Sequence, residues 1–205
     1  RIGRRYLTGG FGFGGPCFPR DNVALNFVGK YLGASTQLLE VNDNYNRTIS
    51  PRFVEKLKGY LRRGSTVAVL GLAYKPLSHV IEESAGMYLC LALAGSGFRV
   101  LGHDPLATVE AEAALRMHAL VADSIGSCLQ DAECVLVTTP DDVYQALGPE
   151  EFIGNKESVT VVDFWRCLPE SIRRHPTIRY VPMGRCIDDV VATRKLDGLW
   201  GGEGN

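Results

Sequence analysis

No apolar run in this 205-residue chain reaches the roughly 18 residues needed to cross a bilayer. Neither sign of charge is in excess. Lys and Arg number 22 against 23 Asp and Glu, a net charge of −1, which removes the electrostatic case for nucleic acid or an anionic membrane surface as partner. The six cysteines stand at 17, 90, 128, 134, 167 and 186, with no C-x-x-C pair and no histidine at zinc-ligand spacing. That pattern indicates neither a metal site nor a disulfide framework and fits a reducing cytoplasm. An initiator Met is missing, and the opening RIGRRYLTGG is polar and glycine-rich, unlike a secretory leader. The chain is therefore expected to be a fragment.

What is present begins with GGFGFGGPCFPRD (9–21), a glycine run ending in a cysteine and a charged pair. With 45% hydrophobic and 22% charged residues, a packed core is expected around it. Asp21 is placed to cap a helix beginning at Asn22, with apolar positions Val23, Leu25, Phe27, Val28, Tyr31 and Leu32 and an end at Gly33. A second helix is expected from near Ser35. Leu38, Val41, Tyr45, Ile49, Phe53, Leu57 and Tyr60 follow at steps of three or four, a stripe of about seven turns that Pro51 should kink. Such a stripe needs a covering surface, in the chain or on a twin subunit.

From Gly64 the pattern changes to strand–helix alternation. STVAVLGLAY (65–74), FRVLGHDP (98–105), ECVLVTTP (133–140), SVTVVDFW (158–165) and IRYVP (178–182) read as strands. Helices are expected at 83–97, 107–117, 124–131 and 141–147. Short turns between them imply a parallel sheet covered on both faces. The expected fold is α/β: a helical central segment (1–63), then a small doubly wound, Rossmann-like domain (64–190) and a tail (191–205).

Ligands of open α/β sheets bind at the carboxyl ends of the strands. Here those ends carry GLAYKP (71–76), HDP (103–105), TTPD (138–141) and DFWR (163–166). The first lacks the G-x-G-x-x-G of a dinucleotide turn. Lys75 and Arg166 could still reach phosphates, or stand as ordinary surface charges. Cys17 is a candidate nucleophile: bare glycine backbone admits a ligand, and the positive end of the following helix and Arg20 would favour a thiolate. Asp21 reads as helix cap, as base for a water, or as both.

At this point the motifs resemble a family. GFGFGGPCFPRD resembles the catalytic cysteine segment of the UDP-glucose/GDP-mannose dehydrogenase family. VAVLGLAYKP (67–76) and RVLGHDP (99–105) resemble its next landmarks, and DAECVLVTTPDDV and VVDFWR resemble later ones. The resemblance implies NAD-dependent oxidation of a nucleotide-sugar C6 alcohol to a carboxylate, with a UDP-sugar or GDP-sugar as substrate. Cys17 would carry a thiohemiacetal and then a thioester, and Asp21 would assist the water that hydrolyses it. Thr8, Gly9, Gly10, Phe11, Gly12, Phe13 and Gly14 would line the sugar. Arg1 would reach a neighbouring subunit's substrate, Tyr74 and Lys75 would hold phosphates, and Arg166 is a further substrate contact. Cys17, Phe18 and Arg20 would face the cofactor. The helix from 35 would form a homodimer or higher oligomer.

The family's N-terminal NAD-binding half is absent, so this chain alone is expected to be inactive. The family's K-P-x-T-D-D-x-R-E-S reads here KPLSHVIEES (75–84), placing His79, Val80 and Glu82 where two aspartates and an arginine are usual. That departure opens a second reading, a homologue that binds a nucleotide-sugar without oxidising it. A third is a plain α/β interaction module with an incidental thiol.

Overall fold

The computed structural model describes residue 3, residue 7 and residues 9–185. Arg1, Thr8 and the expected tail 191–205 lie outside the described residues.

Two helices come first, α1 (Phe18–Tyr31) and α2 (Gln37–Leu57). The alternating part follows as β1 (Thr66–Leu70), α3 (Ala85–Gly95), β2 (Arg99–His103), α4 (Thr108–Leu115), β3 (Leu120–Val121), α5 (Ile125–Leu129), β4 (Cys134–Val137), α6 (Asp142–Gln145), α7 (Pro149–Ile153), β5 (Val159–Asp163), α8 (Glu170–Arg173) and β6 (Ile178–Pro182). The six strands form one parallel sheet in the order β3-β2-β1-β4-β5-β6. The order reverses between β1 and β4, which places the topological switch point there.

Alternation along the strands builds two cores. Val67 and Val69 of β1, Cys134 and Leu136 of β4 and Val162 of β5 face one side, under α3, α4 and the C-terminal part of α2. Ala68, Leu70, Val135, Val137, Val159 and Val161 face the other, under Leu129, Tyr144, Phe152 and Ile172 from α5 to α8. Burial on both faces is why these strands are continuously apolar rather than alternating. The register puts His103, Leu70, Val137, Asp163 and Pro182 in one row. The residues that follow them therefore share one edge.

Several local expectations change. Helix α1 begins at Phe18, not Asn22, with Cys17 at the N-cap and Asp21 inside the first turn. Pro19 explains the shift: it lies in the first turn, where its missing N–H is not needed and its φ suits a helix. Helix α2 spans 21 residues through Pro51, about six turns rather than seven, and Tyr60 lies beyond its end. Its stripe divides. Val54 and Leu57 are buried and Ile49 and Phe53 pack against the sheet core, whereas Leu38, Val41 and Tyr45 are exposed. The two-residue strand β3 and the short helices α7 and α8 were too brief for periodicity to register.

Candidate functional site

The glycine run is a strap laid across the carboxyl edge of the sheet, tied down at three places. At its start, the Arg166 guanidinium donates to the Gly9 carbonyl at 2.6 Å and to the Met183 carbonyl at 2.6 Å. The Trp165 ring lies under Gly10 so closely that a Cβ there would meet Cη2 at 2.8 Å. At its middle, the Asn46 amide of α2 pairs with Phe13 twice: the Phe13 N–H donates to Oδ1 (3.0 Å) and Nδ2 donates to the Phe13 carbonyl (2.8 Å). Phe11 points inward, 4.2 Å from Phe164 and 5.8 Å from Phe53 between ring centroids. At its end, the Gly15 N–H donates to the Glu82 carbonyl at 3.1 Å. Gly15 has φ +86° and abuts the Tyr74 ring, so only glycine fits there without strain. Gly14 rests on the Glu83 carbonyl, and Gly12 faces Asn46.

The strap thus spans the loops after β1 and β5, and the switch point lies between its ends. Gly10, Gly12 and Gly14 put no side chain at this edge, the Phe13 backbone is held by Asn46 and the Gly9 carbonyl by Arg166, and the Phe11 side chain is spent on the core. Asn46 and Trp165 are contributors that sequence reasoning missed. The signal for Trp165 was its place two residues after the strand-end Asp163; Asn46 gave none, being one polar residue among several on a long helix.

Cys17 is exposed and sits at the N-terminus of the 14-residue α1, where the helix presents its unpaired N–H groups and the positive end of its dipole. Its carbonyl accepts the Asp21 N–H at 2.8 Å, the first bond of the helix. The Asp21 carboxylate lies one turn on and takes a 3.2 Å ion pair from Arg20, both side chains being 68% exposed. Such a pair stays mobile and contributes little to stability. Asp21 also lines a groove of about 370 Å³ between α1 and α2, with Phe13, Phe18, Asn22, Leu25, Leu39 and Asn42. The groove holds together because Asn22 Nδ2 donates to the Leu39 carbonyl at 2.9 Å and Lys30 pairs with Glu40 at 2.9 Å. Phe18 and Arg20 are exposed beside Cys17.

At the sheet edge, Asp104 decides where a phosphate can go. In a dinucleotide fold the N–H groups of the turn after β1 cradle the pyrophosphate. Here the buried Asp104 carboxylate takes them: Oδ2 accepts from Leu72 and Ala73, both at 2.8 Å, while Oδ1 accepts from Leu106 (2.9 Å) and Ala107 (2.8 Å). This domain therefore does not fit the NAD pyrophosphate in the usual place. Lys75 is exposed beyond that turn with its ammonium 5.3 Å from the Tyr74 ring centroid, open to an anion. The Arg166 guanidinium donates to the Gly9 and Met183 carbonyls, so it tethers the strap to the sheet edge. His79 and Glu82 are exposed, and only the Glu82 backbone holds the strap.

The neighbouring ionisable groups are structural. Asp163, fully buried, accepts from the Trp165 and Leu168 N–H groups (3.0 and 2.9 Å) and from the Tyr180 hydroxyl (2.9 Å), which shapes the turn carrying Arg166 at φ +57°. Burial pushes the Tyr180 phenol up, and Asp163 adds to it. Burial likewise raises the Cys128, Cys134 and Cys167 thiols, each to about 12, and raises Cys90 further. His103 is held below its usual 6.5 by burial, with Asp104 and Asp141 opposing. The Tyr144 hydroxyl donates to the His103 carbonyl at 2.9 Å and lies 3.1 Å from Nδ1, which assigns the ring proton to Nδ1. Among the described residues no helix is long and apolar enough to cross a membrane.

The chain is similar to known proteins along most of its length. The UDP binding domain of the UDP-glucose/GDP-mannose dehydrogenase family matches residues 68–170, and the family's central domain matches residues 1–48. A UDP-glucose 6-dehydrogenase of Haloferax volcanii is 34% identical over 163 residues, covering 78% of this chain and 37% of its own length. One from Bacillus subtilis is 33% identical over 141 residues, covering 68% and 31%. The structure of a UDP-glucose dehydrogenase from Pyrobaculum islandicum superposes with a TM-score of 0.73 at 30% identity, covering 91% of this chain and 41% of that one. The chain thus spans roughly a third to two fifths of the relatives it matches.

Proposed function

The chain belongs to the UDP-glucose/GDP-mannose dehydrogenase family, and from that premise we propose that it supplies the nucleophile and the nucleotide-sugar surface of a UDP-hexose 6-dehydrogenase. The observation that carries this reading is Cys17: exposed, at a helix N-terminus, at the end of a backbone strap seated on the switch point. The strap's remaining backbone groups would hold the sugar together with Thr8, and Arg1 would reach the substrate of a neighbouring subunit. Lys75 and Tyr74 would take the diphosphate, since the β1 turn is already filled by Asp104.

NAD, held largely by a separate half of the enzyme, would supply the hydride acceptor for each of two oxidations. Phe18 and Arg20, exposed beside the sulfur, would border it. Cys17 adds to the C6 aldehyde, forming a C–S bond and a thiohemiacetal whose loss of hydride and proton leaves a thioester. Asp21 then takes a proton from water as the oxygen attacks, and the C–S bond breaks to release the carboxylate and the thiol. The positive end of α1 favours the anionic sulfur in both steps. The five free cysteines among the described residues suit a reducing compartment.

Cys17→Ser in the full-length enzyme should abolish acid formation; undiminished acid would end this reading. The second reading, binding without oxidation, is favoured by Glu82, exposed at the strap's end. Titration calorimetry separates the two, because binding of UDP-sugar with no binding of NAD would select the second. The exposed Leu38, Val41 and Tyr45 of α2 support assembly through that helix. A monomeric sedimentation coefficient for the full-length protein would contradict it.

A further inference from the structure

We propose that Trp165 is a positioning residue for this chemistry: its indole is the seat that sets the height of the glycine strap, and so the placement of the sugar cradle relative to Cys17. The inference rests on the catalytic reading above.

Trp165 touches three separate pieces of the fold. Its own N–H is fixed by Asp163 Oδ1 at 3.0 Å, in a turn that Asp163 also ties through Leu168. Its indole N–H donates to the Thr138 carbonyl at the end of β4, at 2.7 Å. Its ring face then supports Gly10, with Cη2, Cζ2 and Cζ3 all within 3.2 Å of where a Cβ would stand. The next residue, Arg166, holds the adjoining Gly9 carbonyl from the same turn. A rigid ring pinned at both ends, lying beneath bare backbone, transmits the position of the β4 and β5 ends to the strap. The far end of that strap leads through Gly15 into Cys17. Gly10 does not adopt a left-handed φ, so its lack of a side chain answers to this contact and not to backbone conformation.

The steric contact gives a test by compensation. In the full-length enzyme, Gly10→Ala forces a methyl into the ring and should lower kcat/KM by about tenfold or more, the scale of a displaced reacting group. Trp165→Ala removes the seat and should do the same. The double variant gives the methyl room, so its loss should be no greater than that of Trp165→Ala alone, about tenfold rather than the roughly hundredfold of two added losses. Trp165→Phe loses both the bond to Thr138 and the outer indole carbons that meet Gly10, keeps only the inner part of the ring, and should fall between wild type and Trp165→Ala. Simple addition of the two losses in the double variant would overturn the proposal, as would wild-type kcat/KM in Trp165→Ala. Should Cys17→Ser leave acid formation intact, the catalytic reading falls by itself. The seat would still be read from the rate at which iodoacetamide alkylates Cys17 in the same four variants, and an unchanged rate in all of them would refute it independently.

Discussion

Asp104→Asn is the sharpest probe of how this domain handles negative charge. The wild-type carboxylate is 3% exposed and accepts four backbone N–H groups at 2.8–2.9 Å, two from the turn after β1 and two from the start of the α4 segment. The substitution keeps the volume. Whichever way the amide turns, its NH2 must face two N–H donors, and the remaining oxygen is neutral. Each bond to a charged acceptor contributes about 1.5–3 kcal/mol, and a buried donor left unpaired costs about 1–3 kcal/mol. Two bonds lost and two weakened, with some relaxation, gives an expected loss of about 3–5 kcal/mol. For a chain of this length that lowers Tm by roughly 6–20 °C. Urea unfolding of the 205-residue chain, followed by far-UV circular dichroism, measures it by linear extrapolation. A loss below about 1 kcal/mol with an unchanged m-value would show that the carboxylate does not hold the turn, and the argument that phosphates are excluded from it would fail.

Two further outcomes follow from the titrating groups. Iodoacetamide should label Cys17 in the folded chain while Cys128, Cys134 and Cys167, raised to about 12, and the buried Cys90 stay protected until denaturant is added; peptide mass mapping that finds a buried thiol labelled first would contradict the packing. His103 binds its proton more weakly folded than unfolded, so its contribution to stability is full above pH 6.5 and is lost as pH falls from there through its folded value. His103→Gln should flatten the pH dependence of unfolding free energy between about pH 7 and 5, by at most about 1.4 kcal/mol per pH unit, and equal slopes in the two proteins would refute the assignment.

Much of the architecture was legible in advance because it follows from local chemistry. Short continuous apolar runs such as Val67–Leu70 and Cys134–Val137, bounded by turn residues, suit strands buried on both faces, and the alternation with helices implies a parallel sheet. Short elements were not legible: β3 is two residues long, and α8 is four. Helix α1 was misplaced by four residues because Asp21 is a favoured cap, yet Pro19 already suits a first turn.

By itself the sequence determined the fold class, the family, and a cysteine at the end of a glycine loop beside a helix, since glycine, proline and cysteine act through their own covalent constraints. Only the tertiary structure decided what the polar side chains do. Arg166 meets a carbonyl 157 residues away at Gly9, and Asn46 one 33 residues away at Phe13. Asp104 is filled by N–H groups from a different strand's turn. A charge or amide keeps the same character wherever it stands, and its role is set by which donors and acceptors the packed core carries within about 3 Å of it.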